Sequence, residues 1–308
     1  MGQAFSIMNK PSRRKFIQMG SLMGLGAALM PMQFCSPAKK EGETLMTDPE
    51  TVAQTLKAFG IQLYSVKDQM AENPQETMRA LASYGYKQFE GFDGGKGILW
   101  GMETAEFKSL NSEIGVDFVA THCDVFKNLE AQAEQAAEVG IKYLICPWIG
   151  GQDSLDKYKA IAEQFNQIGE TLKGYGLKFA YHNHDYTFVE QEGQLPQDVL
   201  MDNTDPALVD FEMDIYWVYV AGVDPEAYMK KYKDRFRLCH VKDAAAGIEN
   251  PHERGVLLGQ GEIPFAKLIK ESQSLGMKYY IVEQEQFDGV TPMQAAEKNA
   301  AYLSKLEY

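Results

Sequence analysis

Two of the chain's five histidines stand one residue apart in Lys178-Phe-Ala-Tyr-His-Asn-His-Asp-Tyr-Thr-Phe188, directly behind an apolar run. Residues two apart in an extended chain share a face, so His182 and His184 turn to the same side. Imidazoles placed that way can bind a metal ion or move protons near neutral pH. Other polar residues also follow short apolar runs: Gln62 with Tyr64, Glu90, His122, Cys146 with Trp148, Asp214, His240 with Lys242, and Glu283 with Glu285. Imidazoles and carboxylates drawn from separate segments form a ligand set for Mn2+, Zn2+ or Co2+, with positions left over for substrate oxygens. Asp214, His240 and Glu283 carry the strongest expectation. Each directly follows an apolar run, where an unpaired charge is costly to bury and a shared cation removes that cost. Glu90 and Glu285 also read as solvated carboxylates, His122 as a strand cap and Trp148 as a packing residue, while His252 sits in a polar loop and reads as solvent-facing.

Something must carry these scattered residues to one place. Apolar runs suited to buried strands recur at Phe59–Tyr64, Gln88–Phe92, Val116–Ala120, Lys142–Cys146, Lys178–Tyr181, Val209–Met213, Phe236–Val241 and Lys278–Val282. Segments of helical period lie between most of them: Gln75–Tyr84, Thr104–Ile114, Leu129–Val139, Leu155–Tyr175, Pro225–Tyr232, Pro264–Leu275 and, after the last strand, Thr291–Leu306. Glycine followed by a new apolar run, the stop signal of a helix, recurs at Gly85, Gly115, Gly140, Gly176 and Gly276. Eight strands alternating with helices fit a closed barrel or an open doubly wound sheet. The open sheet usually carries a glycine-rich turn after its first strand, and Tyr64-Ser-Val-Lys-Asp68 has no glycine. The sequence therefore predicts a single (β/α)8 TIM barrel. In that fold the C-terminal strand ends face one pocket, and the polar residues above fall at those ends. Tyr64, Glu90, His122, Trp148 and Glu285 are accordingly candidate substrate contacts.

In order along the chain, Gly60-Ile-Gln-Leu-Tyr64-Ser-Val66, Phe89-Glu90-Gly-Phe92, Thr121-His122, Tyr181-His-Asn-His184, Met213-Asp214, Cys239-His-Val-Lys-Asp243 and Val282-Glu283 resemble the sugar phosphate isomerase/epimerase family of xylose isomerase-like barrels, in the AP endonuclease 2 superfamily. The resemblance covers essentially all of residues 58–308. It implies one divalent metal ion at the ends of strands five to eight, held here by His182, Asp214, His240 and Glu283. It also implies proton abstraction next to a metal-polarised carbonyl through an enediolate, with Glu283, His184 or Lys242 carrying protons or stabilising oxyanion charge. The chain departs from the family pattern at one point. Many relatives read Glu-Asn-His where this chain has His182-Asn183-His184, so the symmetric carboxylate pair of the two-base epimerases is absent. Returning the proton to the neighbouring carbon isomerises a sugar, and expelling a β-substituent eliminates it. The first expectation is a sugar isomerase or epimerase, and the second a lyase that removes the aglycone from a 3-keto-glycoside.

Residues 1–40 are read apart from the fold. Lys10, Arg13, Arg14 and Lys15 precede the apolar run Met19–Met32, and small residues follow around Ser36-Pro-Ala38, the layout of an export signal. Ser12-Arg-Arg-Lys-Phe-Ile17 resembles a twin-arginine signal. Cleavage at Ser36-x-Ala38 and a lipid anchor at Cys35 both fit, cleavage being favoured because bulky Phe34 precedes the cysteine. The apolar run is shorter than the roughly 20 residues of a membrane span, so no transmembrane helix is expected. The expected organisation is a signal and linker over 1–40, a lead-in over 41–57 and the barrel over 58–308, in an exported, periplasmic protein.

Without residues 1–40 the net charge moves from -13 to -19, because six basic residues and no acidic ones leave. Such acidity argues against nucleic acid as a partner. So does Asp214-Ile-Tyr-Trp217, which lacks the Asp-x-x-His pattern of the DNA-repair endonucleases that share the barrel. Cys123, Cys146 and Cys239 are widely spaced and read as free thiols. The strand ends offer no arginine cluster or glycine-rich turn for a phosphate, so the expected partner is a small unphosphorylated sugar. A non-catalytic sugar-binding barrel is the remaining reading, and no exposed apolar stripe marks an oligomer interface.

Overall fold

A computed structural model describes residues 53–308; the expected export signal, the candidate cleavage and lipidation positions and most of the lead-in lie outside the described residues. Eight strands form the barrel: β1 (Gly60–Gln62), β2 (Gln88–Phe92), β3 (Asp117–His122), β4 (Tyr143–Cys146), β5 (Lys178–His182), β6 (Val209–Asp214), β7 (Phe236–Val241) and β8 (Tyr279–Val282). Neighbours in sequence are neighbours in space, all pairs are parallel, and β8 closes on β1. Strands covered by helices on one side and by the barrel interior on the other are buried on both faces, as β4 and β6 are at every residue.

The interior is filled in layers that the strand period of two makes readable. Ala120, Ala180, Leu238 and Ile281 belong to a compact apolar cluster with Tyr143 and Ile145. Each of the first four stands two residues before a polar one, namely His122, His182, His240 and Glu283. The apolar cluster is therefore the floor on which the polar strand ends rest. Gly60 belongs to this packing, since a Cβ there would come within 2.6 Å of Ile281 Cδ1 and 2.9 Å of the Gln88 carbonyl.

Among the described residues, seven helices follow the expected pattern: Pro74–Ser83, Thr104–Ile114, Leu129–Val139, Leu155–Gly174, the short Pro225–Lys231, Phe265–Ser274 and Pro292–Leu303. Gly115 and Gly140 close two of them with φ of 64° and 85°, the left-handed conformation that a side chain disfavours. Three short helices were not anticipated: Lys67–Glu72, Pro196–Asp202 and Ile215–Val220. Six or seven residues are too few for a helical period to show, and Ile215-Tyr-Trp-Val-Tyr-Val220 reads locally as more strand. Asp214 switches the chain at that point, because its Oδ1 accepts the Trp217 N–H at 3.1 Å and caps the helix. The first strand is also shorter than its apolar run. The Gln62 side chain accepts the Tyr64 N–H at 3.0 Å and turns Leu63–Val66 into a 3-10 helix, which leaves Tyr64 on the rim.

Beyond β7 the chain forms a two-residue antiparallel pairing of Asp243–Ala244 with Gly255–Val256. The Asp243 carboxylate gathers the following loop by accepting the N–H groups of Gly259, Gly261 and Ile263 at 2.9, 2.9 and 3.3 Å. The three cysteines of the barrel are buried free thiols. No described helix is long and apolar enough to cross a membrane.

Candidate active site

The strand ends surround a cavity of about 450 Å³ whose wall includes Tyr64, Phe92, His122, Trp148, His182, His184, Glu283 and Glu285. Its volume lies in the range of small-molecule pockets, about 300–1,000 Å³. Trp148, 56 % exposed, sets its ring edge-on to His184 at 4.6 Å and to Tyr186 at 4.5 Å, forming an aromatic corner at the mouth.

At the base His182, Asp214, His240 and Glu283, from four consecutive strands or the residues after them, bring one donor atom each to within 4.8 Å of the others. His182 Nε2 lies 3.1 Å from His240 Nδ1, and His240 Nδ1 lies 3.2 Å from Glu283 Oε2. Asp214 Oδ2 is 3.6 Å from His182 Nε2 and 3.7 Å from His240 Nδ1. Asn183 holds this corner in place. Its side chain accepts the Asp214 N–H at 3.2 Å and donates to the Asp214 carbonyl at 3.4 Å, tying the end of β5 to that of β6.

The four donors fit a divalent ion. Ligands about 2.0–2.2 Å from a tetrahedral ion stand about 3.3–3.6 Å apart; four of the six donor separations here are 3.1, 3.2, 3.6 and 3.7 Å, and all of them lie within 4.8 Å. Asp214 Oδ2 is buried and makes no hydrogen bond, which a buried carboxylate oxygen tolerates poorly without a cation. Two imidazoles and two carboxylates suit Zn2+, Mn2+ or Co2+ and do not select among them.

A second group of four lies beneath the first and shares His240. Glu90, His122, Glu212 and His240 also bring one donor each to within 4.8 Å of the others. His240 Nε2 is 2.7 Å from Glu90 Oε1, and His122 Nε2 is 2.8 Å from Glu212 Oε2 and 3.2 Å from Glu90 Oε1. Glu212 is one site residue that sequence reasoning missed. Attention fell on strand ends, whereas Glu212 sits two residues earlier. The signal was present in the alternation Asp210-x-Glu212-x-Asp214, three carboxylates on one face of β6.

Charge is divided unevenly over the site. Burial would raise Glu283, yet His240 and Lys242 hold it down at about 2. Asp214 is likewise held well below the usual carboxylate range, against burial, by the facing imidazoles of His182 and His240. Burial and the neighbouring Glu90 charge push Glu212 up to about 7, and burial followed by Glu283 raises Glu285. His184 is held neutral, first by burial and then by His182.

Several expected roles change in this geometry. Glu90 is fully buried behind the cavity wall and touches His240, His122 and the Gln62 amide rather than the cavity. Lys242 is also fully buried, with its ammonium 4.8 Å from the ring centres of both Tyr216 and Trp217 and paired with Glu285 and Glu283. Burial would lower its pKa, but Glu283, Asp214 and Glu285 raise it. Lys242 is thus a fixed positive charge rather than a proton carrier. Tyr64, His122, Trp148, His184 and Glu285 all line the cavity, joined by Asp93 and Asp124, which sequence reasoning did not single out. His252 is exposed, 3.4 Å from Asp185.

A closed parallel barrel with imidazoles and carboxylates gathered at the C-terminal strand ends is the layout in which TIM-barrel enzymes keep their active sites. The chain belongs to the xylose isomerase-like TIM barrel family, whose model matches residues 78–306. Among solved structures it is similar to a sugar phosphate isomerase/epimerase from Parabacteroides distasonis, at 29% identity and a TM-score of 0.71, covering 81% of this chain and 98% of that one. The fold is also that of the IOLI protein with a bound zinc atom, at a TM-score of 0.66 and 14% identity over 81% of this chain and 99% of that one. Among curated proteins it is similar to an inosose dehydratase from Clostridium perfringens, 28% identical over 165 residues, 49% of this chain and 55% of that protein. The chain thus spans about half the length of the curated relatives it matches first.

Proposed function

We propose that the protein is a divalent-metal enzyme that removes a proton next to the carbonyl of an unphosphorylated sugar or sugar-like ketone and then expels a β-substituent. The observation that carries this reading is the cluster of His182, Asp214, His240 and Glu283 opening onto a sugar-sized cavity. A bound ion would supply Lewis acidity toward a carbonyl oxygen and an adjacent hydroxyl. The remaining chemistry falls to the chain. Glu283 and Glu285 both face the cavity, and their environments push their pKa values apart, which is how paired carboxylates divide base and acid roles. Glu283 is ionised and accepts the carbon-bound proton. Glu285 holds its proton more readily and gives it to the leaving oxygen. Lys242 stays charged between them, and His184, a neutral imidazole against Trp148, makes hydrogen bonds to substrate hydroxyls.

Elimination is favoured over epimerisation because the second carboxylate of a two-base pair is absent. His182 stands in its place and faces His240 and Asp214. The similarity to inosose dehydratases supports the same outcome. Among the described residues no arginine or lysine lines the cavity, which supports a substrate without a phosphate, and an exported protein would meet such sugars. Isomerisation through the same enediolate is the second reading, supported by the similarity to the sugar phosphate isomerase/epimerase.

Mass spectrometry of keto-glycosides and inososes incubated with the metal-loaded protein separates the two. Release of an aglycone or of water supports elimination, and an isobaric product supports isomerisation. A protein that binds no divalent ion and turns over neither substrate class sinks both readings.

A further inference from the structure

Glu90 lies under the cation cluster rather than in it, and its contacts give it a task there. The inference rests on the proposed cation site. The two ring nitrogens of His240 face different surroundings: Nδ1 points into the upper cluster, 3.1 Å from His182 Nε2 and 3.2 Å from Glu283 Oε2, while Nε2 lies 2.7 Å from Glu90 Oε1. A neutral imidazole has one protonated nitrogen and one lone pair, and the partner of the protonated nitrogen decides which is which. An ionised carboxylate only accepts. Glu90 Oε1 also receives the Gln62 amide at 2.7 Å, and Gln62 is itself oriented, because its Oε1 accepts the Tyr64 N–H at 3.0 Å. On the other side His122 Nε2 bridges Glu212 Oε2 at 2.8 Å and Glu90 Oε1 at 3.2 Å. Glu90, Glu212, Gln62 and His240 have no exposed surface, so no solvent competes for these bonds.

We propose that Glu90 is a positioning residue that fixes His240 as the Nε2–H tautomer and so presents the Nδ1 lone pair to the cation. Gln62 and the Glu212–His122 pair hold Glu90 in place, and this lower group binds no second ion. The shortest contacts of the lower group set it apart. At 2.7 and 2.8 Å they are charge-assisted hydrogen bonds, shorter than the about 3.3–3.6 Å between ligands of a tetrahedral ion, while the cross contacts His122 Nε2–Glu90 Oε1 and His240 Nε2–Glu212 Oε2 stand at 3.2 and 3.5 Å. An ion on Nε2 as well would strip His240 of both ring protons. One feature speaks for a second ion, namely that Glu90 Oε2 and Glu212 Oε1 are buried without partners, so the test counts ions.

The purified full chain, stripped with a chelator, is titrated with Zn2+ by calorimetry and assayed for bound zinc. The ring nitrogens of His240 are read by 15N NMR in the zinc form. The expected result is one ion per chain, a protonated Nε2 on His240, and zinc affinity about 10-fold weaker in Glu90→Gln and about 100-fold weaker in Glu90→Leu. Two ions per wild-type chain, a protonated Nδ1, or unchanged affinity in both variants overturns the proposal while leaving the upper cation site standing. No ion in the wild-type chain overturns the site and this inference together. Should Glu90→Leu fail to fold, the wild-type tautomer still decides.

Discussion

The two four-residue groups that share His240 use the same chemistry to opposite ends. Above, His182, Asp214, His240 and Glu283 bring their donors within 4.8 Å of one another, with Asp214 Oδ2 3.6 and 3.7 Å from the two imidazoles and without a hydrogen bond. Below, Glu90 meets His240 at 2.7 Å and Glu212 meets His122 at 2.8 Å, with the cross contacts at 3.2 and 3.5 Å. The difference teaches that residue types alone do not define a metal centre. Asp214 Oδ2, 3.6 and 3.7 Å from two imidazoles, leaves room for an ion, whereas the short Glu90–His240 and Glu212–His122 contacts leave none within either pair.

The sharpest way to break this comparison is one chemical change made at both levels of β6. Asp214→Asn removes a charge from the upper group while keeping the oxygen that caps the next helix. It is expected to lose the bound ion and about 10³-fold or more in turnover, measured by elemental analysis and steady-state kinetics. An Asp214→Asn protein that keeps both would move the cation elsewhere. Lys242→Met comes next, because it leaves the Glu283 and Glu285 carboxylates facing each other without their counter-charge. A loss of about 3 kcal/mol is expected, seen by calorimetry as a melting temperature roughly 6–12 °C lower. An unchanged melting temperature would show that the ammonium contributes nothing to the fold.

Glu212→Gln is the lower counterpart of Asp214→Asn, two residues earlier on the same strand. It should retain one ion per chain and cost about 1–2 kcal/mol of stability, because Glu212 is hydrogen-bonded to His122 and wholly buried. Loss of an ion would make the lower group a metal site after all. The smallest effect is expected at the mouth. Trp148→Ala removes an exposed aromatic wall and should raise KM about 5- to 10-fold with kcat and ion content unchanged. A fall in kcat instead would give Trp148, or the His184 ring it packs against, a part in the chemistry.

Much of this organisation could be read from the chain. Each of the eight strands lies on an apolar run, because strands buried on both faces leave little room for polar residues. The glycines that end the helices are equally legible, since a left-handed turn leaves few alternatives. The helix Ile215–Val220 was hidden because its residues favour strands and only the Asp214 cap and its tertiary surroundings turn them. At the site, the convergence of Asp214, His240 and Glu283 was expected from their places at strand ends, and His182 joined them as a ligand through the family resemblance. The separation of Glu90 from the cavity, the burial of Lys242 under two aromatic rings and the part of Glu212 were not.

The sequence by itself determined which residues alternate inward on each strand, because a period of two is a property of the single strand. It also determined that charged groups ending apolar runs would need partners. Only the tertiary structure decided which residues stand level with which. His182 pairs with Glu212, while Asp214, one step further up the same strand, pairs with His240. That stagger follows from closing tilted strands into a barrel. It places His240 at the boundary between the two groups, with one ring nitrogen committed to each.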